Sequence, residues 1–305
     1  MGTGAETPWC AALARALDEP LPGTAPVAPR WLCLEHRGTW PSEVAAHRDE
    51  AVRALLGRAA RSGWRPLLVR RPGRRPTDGP TRLFLADTTP RGPVPPVTVL
   101  RVADPADLAT LALPEPGAPL PGEPVTDPML LVCTHGRRDR CCAVDGRALA
   151  RAVVDGGEQE VWECTHLGGH RFAPTALVRP TGYVYGRLDP AAAAAALKAA
   201  TVGEVEPDRC RGRSTWTAPG QVAELAVRAA TGLRDADALR VVPDPDRVTP
   251  TGTAAPVPVA VHADDGRRWE VTVRSTSCPG QRPVSCGAAA LPVSTLHASA
   301  VQRIA

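Results

Sequence analysis

The feature that most constrains this chain is a concentration of cysteine and histidine near its middle. Four of the nine cysteines and three of the seven histidines in the 305 residues fall between positions 133 and 170. They are Cys133, Cys141, Cys142, Cys164, His135, His166 and His170. An odd number of cysteines, in a chain without an evident export signal, disfavours a disulfide framework and favours metal or redox chemistry. We therefore expect this segment to fold around such a centre.

Apolar segments and turn signals divide the chain into three parts and predict an α/β protein. Residues 1–113 contain segments in the order β-α-β-β-β, which predicts an α/β domain. Residues 114–128 are rich in proline and glycine and predict a linker. Residues 129–205 follow the order β-α-β-β-β-α, which resembles the thioredoxin-like arrangement. Residues 206–305 contain a helix and short alternating segments, which predict a small α+β domain.

Capping signals locate four helices. Ser42 can cap a helix that ends near residue 63, and a second helix is predicted over about 145–154. An aspartate followed by proline predicts the start of an alanine-rich helix over 190–200. The helical pattern over 217–230 is followed by Gly232, a common helix terminator.

The sequence around His166 and His170 predicts a metal-binding loop. The two histidines are four residues apart, as on one helical face, but Gly168 and Gly169 stand between them and a glycine pair is a poor helix interior. Glycines allow a tight turn and a close approach of the backbone to a bound group. Two imidazoles from one loop beside several cysteines are typical metal ligands.

Cys133 and Cys142 are the candidate sulfur ligands. Cys133 follows an apolar segment, at the carboxyl end of a predicted strand, where α/β sheets place their ligand sites. Cys142 comes after eight intervening residues, near the start of the next helix, where the helix dipole favours a thiolate. Cys141 is adjacent and points in a different direction. We expect it to be a packed or exposed thiol without a function.

The loop between these cysteines contains supporting residues. His135 lies two positions after Cys133, and we expect it to form a hydrogen bond to a ligand rather than to act as a fifth ligand. Arg138 and Asp139 are expected to brace the loop as an ion pair, with a solvated turn as the alternative.

Three other cysteines have weaker signals. Cys164 shares a strand face with His166, so we interpret it first as a packed thiol and second as a ligand. Cys278 and Cys286 are separated by seven residues in a loop-rich stretch. A redox-active pair is conceivable there, but ordinary thiols are the default interpretation.

The two ligand segments together resemble the sucrase/ferredoxin-like family of thioredoxin-like ferredoxins. The family pattern is Cys-x-His-x-x-Arg-Asp-x-Arg-Cys followed by His-x-Gly-Gly-His. The matching residues here are Cys133, His135, Arg138, Asp139, Cys142, His166, Gly168, Gly169 and His170. Position 141 is cysteine where the family has arginine, which leaves the choice between Cys141 and Cys142 open. The resemblance is closest in the middle part and extends less closely over the first part.

This resemblance implies a thioredoxin-like ferredoxin domain with a [2Fe–2S] cluster. By the family pattern, Cys133 and Cys142 would hold one iron, and His166 and His170 the other. It also implies an electron carrier rather than a stand-alone or sugar-cleaving enzyme, and we find no carboxylate pair for glycoside hydrolysis. Imidazole ligands predict a higher potential than four thiolates would give, and electron uptake that is coupled to proton uptake.

Two alternatives stay open. The same two cysteines and two histidines could hold a structural zinc ion, although the spacing between the cysteines is longer than zinc fingers use. A thiol redox protein on a thioredoxin-like fold is the other alternative, but the chain has no Cys-x-x-Cys motif. The chain also lacks Gly-x-Gly-x-x-Gly, so we expect electrons to be exchanged with a partner protein, an unidentified reductase or acceptor.

Charge and hydropathy favour a cytoplasmic protein that binds neither nucleic acid nor membrane. The net charge is only +4, and all but one of the 36 basic residues are arginine. We therefore interpret the arginine pairs at 70–71 and 74–75 as solvated surface rather than as a nucleic-acid site. The sequence contains no apolar run long enough to cross a bilayer, and its first ten residues lack the pattern of a signal peptide.

Overall fold

The structure, a computed structural model, describes residues 9–73, 79–92, 94–104, 106–242 and 255–304. The second arginine pair, 74–75, and the first eight residues lie outside the described residues.

Ten strands form one mixed sheet, and the predicted α/β class is confirmed. The strands are β1 Arg30–Glu35, β2 Trp64–Arg70, β3 Thr81–Asp87, β4 Val97–Val102, β5 Glu123–Pro124, β6 Met129–Cys133, β7 Val161–Cys164, β8 Ala176–Arg179, β9 Tyr183–Tyr185 and β10 Cys210–Arg213. Their spatial order is β10-β9-β8-β6-β7-β2-β1-β3-β4-β5. Every side chain of β1, β6 and β7 is buried, so both faces are covered at the centre of the sheet, with Trp31 and Trp162 at 0 % exposure.

The large sheet consists of two similar halves. In the first half β1 is parallel to β2 and antiparallel to β3, and β3 is antiparallel to β4. In the second half β6 has the same relation to β7 and β8, and β8 to β9. The halves join where β2 and β7 pair antiparallel through Val69 with Cys164 and Arg70 with Glu163. Because both pairs lie at the carboxyl ends of their strands, the two sets of strand ends meet near the centre of the sheet.

Six helices accompany the strands in the described residues. They are α1 Cys10–Ala16, α2 Glu50–Arg61, α3 Asp107–Thr110, α4 Arg147–Asp155, α5 Pro190–Thr201 and α6 Ala218–Thr231. The helices predicted over 190–200 and 217–230 are confirmed within one residue at each end. Among the described residues, no helix has both the length and the apolar character that crossing a membrane requires.

Two other helix predictions need correction. The helix predicted to follow Ser42 begins only at Glu50, because Asp49 caps it by accepting a hydrogen bond from the backbone N–H of Val52 at 3.1 Å. The helix predicted over 145–154 begins earlier, with a π-helical turn over Cys142–Gly146 that continues into α4.

The last part of the chain forms a second, antiparallel sheet. Its strands are β11 Leu239–Val241, β12 Val257–Ala263, β13 Arg268–Pro283 and β14 Ala290–Arg303, in that spatial order. The apolar face of α6 packs against it through Val222 and Val227. β10, in the predicted C-terminal part, pairs with β9 of the large sheet, and β5, in the predicted linker, pairs with β4. The proposed boundaries at 113, 128 and 205 stay a prediction.

Candidate functional site

Cys133 and Cys142 meet where β6 ends. Cys133 is the last residue of β6, and residues 134–141 form the loop that leads to Cys142 in the π-helical turn. Gly146 permits this turn to approach the strand, because a Cβ atom at that position would lie 2.1 Å from the Cys133 carbonyl oxygen. The absence of a side chain at Gly146 therefore allows the two cysteines to come together.

The Cys133 thiol receives several hydrogen bonds. Cys142 and His166 contact it with their side chains, and the backbone N–H groups of His135 and Leu167 point to it. The hydrogen bond from Cys142 is the main cause that lowers the pKa of Cys133 well below its usual value, against burial, which raises it. The same hydrogen bond, together with burial, raises the pKa of Cys142. Within this pair, the proton is therefore held more tightly by Cys142 than by Cys133.

His166 and His170 lie together in the loop between β7 and β8. Their rings stack with centroids 4.7 Å apart, and His170 opens a 3-10 turn over His170–Phe172. The predicted loop conformation is confirmed, since Gly168 and Gly169 have φ angles of 94° and 72°, in the left-handed region that favours glycine. In both histidines Nδ1 is buried and, within the described residues, has no hydrogen-bond partner. Burial lowers the pKa of His170, and the nearby His166 lowers it further.

We call Cys133, Cys142, His166 and His170 the central set. Contacts link its members in a chain from Cys142 through Cys133 and His166 to His170. The two cysteines are 1 % exposed, whereas the two histidines are partly exposed to solvent.

Arg211 of β10 is a site residue that the sequence did not reveal. Its guanidinium is buried and donates to the carbonyl of Gly168 at 3.0 Å, to the hydroxyl of Thr24 at 3.0 Å and to the carbonyl of Thr24. A Cβ atom on Gly169 would lie 2.2 Å from this guanidinium. Burial lowers the pKa of Arg211 to about 9, so it remains a cation at neutral pH next to the thiols of the central set. The sequence did not reveal Arg211 because the chain is rich in arginine and this residue resembles its many surface arginines.

The first half of the sheet covers the loop that follows Cys133. His135 donates from Nε2 to the carbonyl of Pro41 at 2.8 Å, and Trp40 meets the His135 ring edge-on. Arg138 forms an ion pair with Glu43. His135 thus supports Cys133 through its backbone N–H, while its side chain anchors the loop to the first half.

The predicted ion pair between Arg138 and Asp139 needs correction. Asp139 turns away from Arg138 because its two carboxylate oxygens accept hydrogen bonds from the backbone N–H groups of Cys141, at 2.8 Å, and Cys286, at 2.9 Å.

Cys164 is placed as a packed thiol. It lies in the hydrophobic core at 0 % exposure, level with Cys133 on the neighbouring strand. Burial raises the pKa of Cys164 well above its usual value, so the thiol stays protonated. This agrees with the first of the two interpretations drawn from the sequence.

Cys141 belongs to a different group of side chains. Its Sγ lies 3.6 Å from Sγ of Cys10 and 3.4 Å from Sγ of Cys286. The hydrogen bond from Cys10 is the main cause that lowers the pKa of Cys141 to about 7. Together with Asp139, these three cysteines offer four donor atoms within 4.8 Å of one another, an arrangement that could hold a metal ion. We call Cys10, Asp139, Cys141 and Cys286 the second cluster.

Cys141 is buried, as the interpretation of a packed thiol expected, but it has two sulfur neighbours that the sequence did not predict. Cys286 lies with Cys10 and Cys141, whereas the Cys278 thiol donates to the hydroxyl of Thr295 at 3.7 Å. The sequence contained no local signal for this cluster, because its cysteines are separated by more than 130 positions.

Residues 21–212 match the family described as sucrase/ferredoxin-like. The chain belongs to the sucrase/ferredoxin-like family. No curated protein and no solved structure matches it.

The part of the chain that matches the sucrase/ferredoxin-like family includes the whole central set. It extends over both halves of the large sheet and ends just after Arg211. Two members of the second cluster, Cys10 and Cys286, lie outside it.

Proposed function

We propose that this member of the sucrase/ferredoxin-like family is an electron-transfer protein that holds a [2Fe–2S] cluster with its central set. The observation that carries the proposal is the contact of the Cys133 thiol with both Cys142 and His166, whose ring stacks on His170. Successive contacts therefore link two cysteines and two histidines from three segments of the chain at one strand end.

The donor atoms fit such a group. Iron–sulfur clusters bind thiolates, and the neighbours of Cys133 lower the pKa of its thiol, which favours that form. His166 and His170 each have a buried ring nitrogen, Nδ1, without a hydrogen-bond partner among the described residues. A buried polar atom without a partner is costly, and coordination to a metal would remove that cost.

The ligand assignment follows the family pattern. Cys133 and Cys142 would hold one iron, and His166 and His170 the other. A cluster bound there would supply transfer of one electron at a time. Two neutral imidazoles in place of two thiolates remove two negative charges next to the iron. We expect a midpoint potential of roughly −150 to +300 mV, above the value of about −400 mV for plant-type ferredoxins.

The histidines offer the route by which electrons would leave or enter. They are partly exposed, whereas the cysteines are buried. Coupling to protons belongs to the same proposal, because an imidazole that binds metal through one nitrogen keeps a second nitrogen that can exchange a proton. A midpoint potential that falls as the pH rises would support this coupling, and one that is independent of pH would contradict it.

We also propose a redox partner with an acidic surface, and a cytoplasmic location. A cleft of about 920 Å³ opens beside the loop after Cys133. Its lining includes the exposed arginines Arg137, Arg147 and Arg151. Positive charge beside a redox site steers an acidic protein towards it. Electron transfer to such a partner should slow as ionic strength rises, and a rate unaffected by salt would argue against this docking face.

The composition of the purified protein tests the function directly. Protein isolated without air should contain two irons and two sulfides in the central set and show visible sulfur-to-iron absorption. A protein with zinc but no iron in the central set would instead support the structural zinc alternative. A central set without metal, with a reversible disulfide between Cys133 and Cys142, would support the thiol redox alternative.

Variants of the histidines test the ligand assignment. In His166→Cys and His170→Cys, a thiolate replaces a neutral imidazole, so we expect the cluster to remain and its midpoint potential to fall towards about −400 mV. His262→Cys, in β12 and outside the central set, is the control and should leave the midpoint potential unchanged. An unchanged potential in the first two variants would remove those histidines from the ligand set.

A further inference from the structure

The second cluster has the spacing of a tetrahedral metal site. The Sγ–Sγ distances are 3.6 Å from Cys10 to Cys141, 3.4 Å from Cys141 to Cys286 and 3.7 Å from Cys286 to Cys10. Sulfurs bound to one zinc ion at about 2.3 Å in a tetrahedron are separated by about 3.8 Å. The three thiols therefore form a triangle close in size to one face of a zinc site.

These distances do not describe a disulfide. The sulfurs of a disulfide are about 2.05 Å apart, and each sulfur has only one partner. Here each of the three thiols has two sulfur neighbours at nearly equal distance. Three thiols also leave one without a partner if the other two are oxidised, whereas one metal ion can bind all three.

Asp139 occupies the position of a fourth ligand. Its carboxylate oxygens lie 3.9 Å and 3.8 Å from Sγ of Cys10. Oxygen and sulfur ligands of one zinc ion are separated by about 3.6 Å. The backbone N–H groups of Cys141 and Cys286 fix the carboxylate in this orientation, and each carboxylate oxygen has a further lone pair to offer.

We propose that Cys10, Cys141, Cys286 and Asp139 form a structural zinc site, distinct from the central set. Three thiolates and one carboxylate are ligands that zinc binds in four-coordinate sites. On binding, the thiol protons are released to solvent, and no electron is transferred. Asp139, Cys10 and Cys141 are buried and Cys286 is partly exposed, so the metal can enter from the side of Cys286.

The zinc site joins three distant segments of the chain. Cys10 begins α1, Asp139 and Cys141 lie between the two central cysteines, and Cys286 follows β13. Because Cys141 is adjacent to Cys142, a metal that holds Cys141 also restricts the position of a ligand of the central set.

Cobalt binding by the full-length protein tests the site. The background is Cys133→Ser/His166→Ala, which removes two donors from the central set and keeps the second cluster intact. Co²⁺ added to this protein after chelation should bind with sulfur-to-cobalt absorption and the visible bands of tetrahedral coordination. This result does not depend on whether the central set holds iron.

Two further substitutions in this background compare a cysteine of the second cluster with a cysteine outside it. Cys286→Ser should remove about one third of the sulfur-to-cobalt absorption, because one of three thiolates is lost. Its affinity for cobalt should fall at least about tenfold. Cys278→Ser, in the same hairpin, is the matched control and should leave both unchanged. Equal spectra and affinities for these two variants would overturn the proposal.

Thiol alkylation gives a second test, which uses the protein without any substitution. With zinc bound, Cys286 should resist alkylation, and a chelator should restore its reactivity. Cys278 should react at the same rate in both conditions. Equal reactivity of Cys286 with and without the chelator, or a disulfide within the second cluster of the isolated protein, would refute the site.

Discussion

The two halves of the large sheet have the same strand order, yet they differ at the residue that ends their first strand. Glu35 ends β1 and Cys133 ends β6. The strand pairings align Glu35 with Val69 and Cys133 with Cys164, and Val69 and Cys164 pair across the join. Glu35 and Cys133 are thus matched positions on either side of the join.

Each half stabilises a different anion at this position. Glu35 accepts hydrogen bonds from Arg82 at 2.9 Å and Arg37 at 3.3 Å, which complete an ion-pair network. Cys133 instead receives a thiol, an imidazole and two backbone N–H groups. The same strand topology thus surrounds a carboxylate with arginines in one half and a thiol with hydrogen-bond donors in the other.

The largest expected difference between the halves concerns cysteine removal. Cys133→Ser should abolish iron binding by the central set, because a serine hydroxyl replaces the thiol that contacts both Cys142 and His166. Cys33→Ala, in β1 of the first half, is the control and should keep full iron and sulfide content. The readouts are iron and sulfide per chain and the visible spectrum. Full iron in Cys133→Ser would exclude Cys133 as a ligand.

A second prediction compares glycines in the helices of the two halves. Gly146→Ala should destabilise the protein by about 1–3 kcal/mol and release most of the iron, because the new Cβ collides with the Cys133 carbonyl. Gly57→Ala in α2 has an arginine side chain at 3.4 Å as its nearest neighbour and should stabilise the protein by about 0.5–1 kcal/mol. Urea unfolding and iron content measure both. Similar effects of the two substitutions would contradict this difference.

The third prediction compares Arg211 with Arg82 and concerns an effect of intermediate size on the midpoint potential. Arg211→Met removes a cation from beside the thiols of the central set, so the reduced, more negative state is less stabilised and the midpoint potential should fall. The unpaired carbonyls should cost about 1–3 kcal/mol of stability. Arg211→Lys keeps the positive charge, so it should lower the midpoint potential less than Arg211→Met does. Arg82→Met, the equivalent loss of a cation beside Glu35, should leave the potential unchanged, and a fall there would mean that the effect is not local.

The smallest predicted effect is the pH dependence of Glu35. Burial raises its pKa, but hydrogen bonds and charge from Arg82 and Arg37 outweigh burial and lower it below the ordinary value of 4.5. The ion pairs therefore stabilise the folded state above pH 4.5, and this contribution is lost as the pH falls through the lowered pKa. Because Arg82 is partly exposed, we expect about 1 kcal/mol. Glu35→Gln should flatten this part of the curve of unfolding free energy against pH, and an unaltered curve would contradict the assignment.

Local patterns in the sequence predicted strands β1 to β4 and β6 to β9, two of the helices and the glycine loop between His166 and His170. They predicted these features because apolar period, caps and glycine pairs act over a few residues. Arg211, Asp139 and Cys286 acquire their roles only when β10 joins β9 and the loop before Cys142 meets the C-terminal hairpin. Such contacts depend on chain topology, which no local pattern encodes. The delayed start of α2 had a local signal in Asp49, but Ser42 competed with it as a cap.

Two residue pairs and a buried ion pair between Arg70 and Glu163, at 2.6 Å, connect the two halves of the large sheet at the join. One hydrophobic cluster with residues of both halves, such as Phe84 and Trp162, packs across it. The loop after Cys133 is anchored across this join, by His135 on Pro41 and by Arg138 on Glu43. Any slippage of one half against the other must pull on that loop. Loss of the iron–sulfur cluster that we propose for the central set would therefore report a displacement of the two halves before either half unfolds.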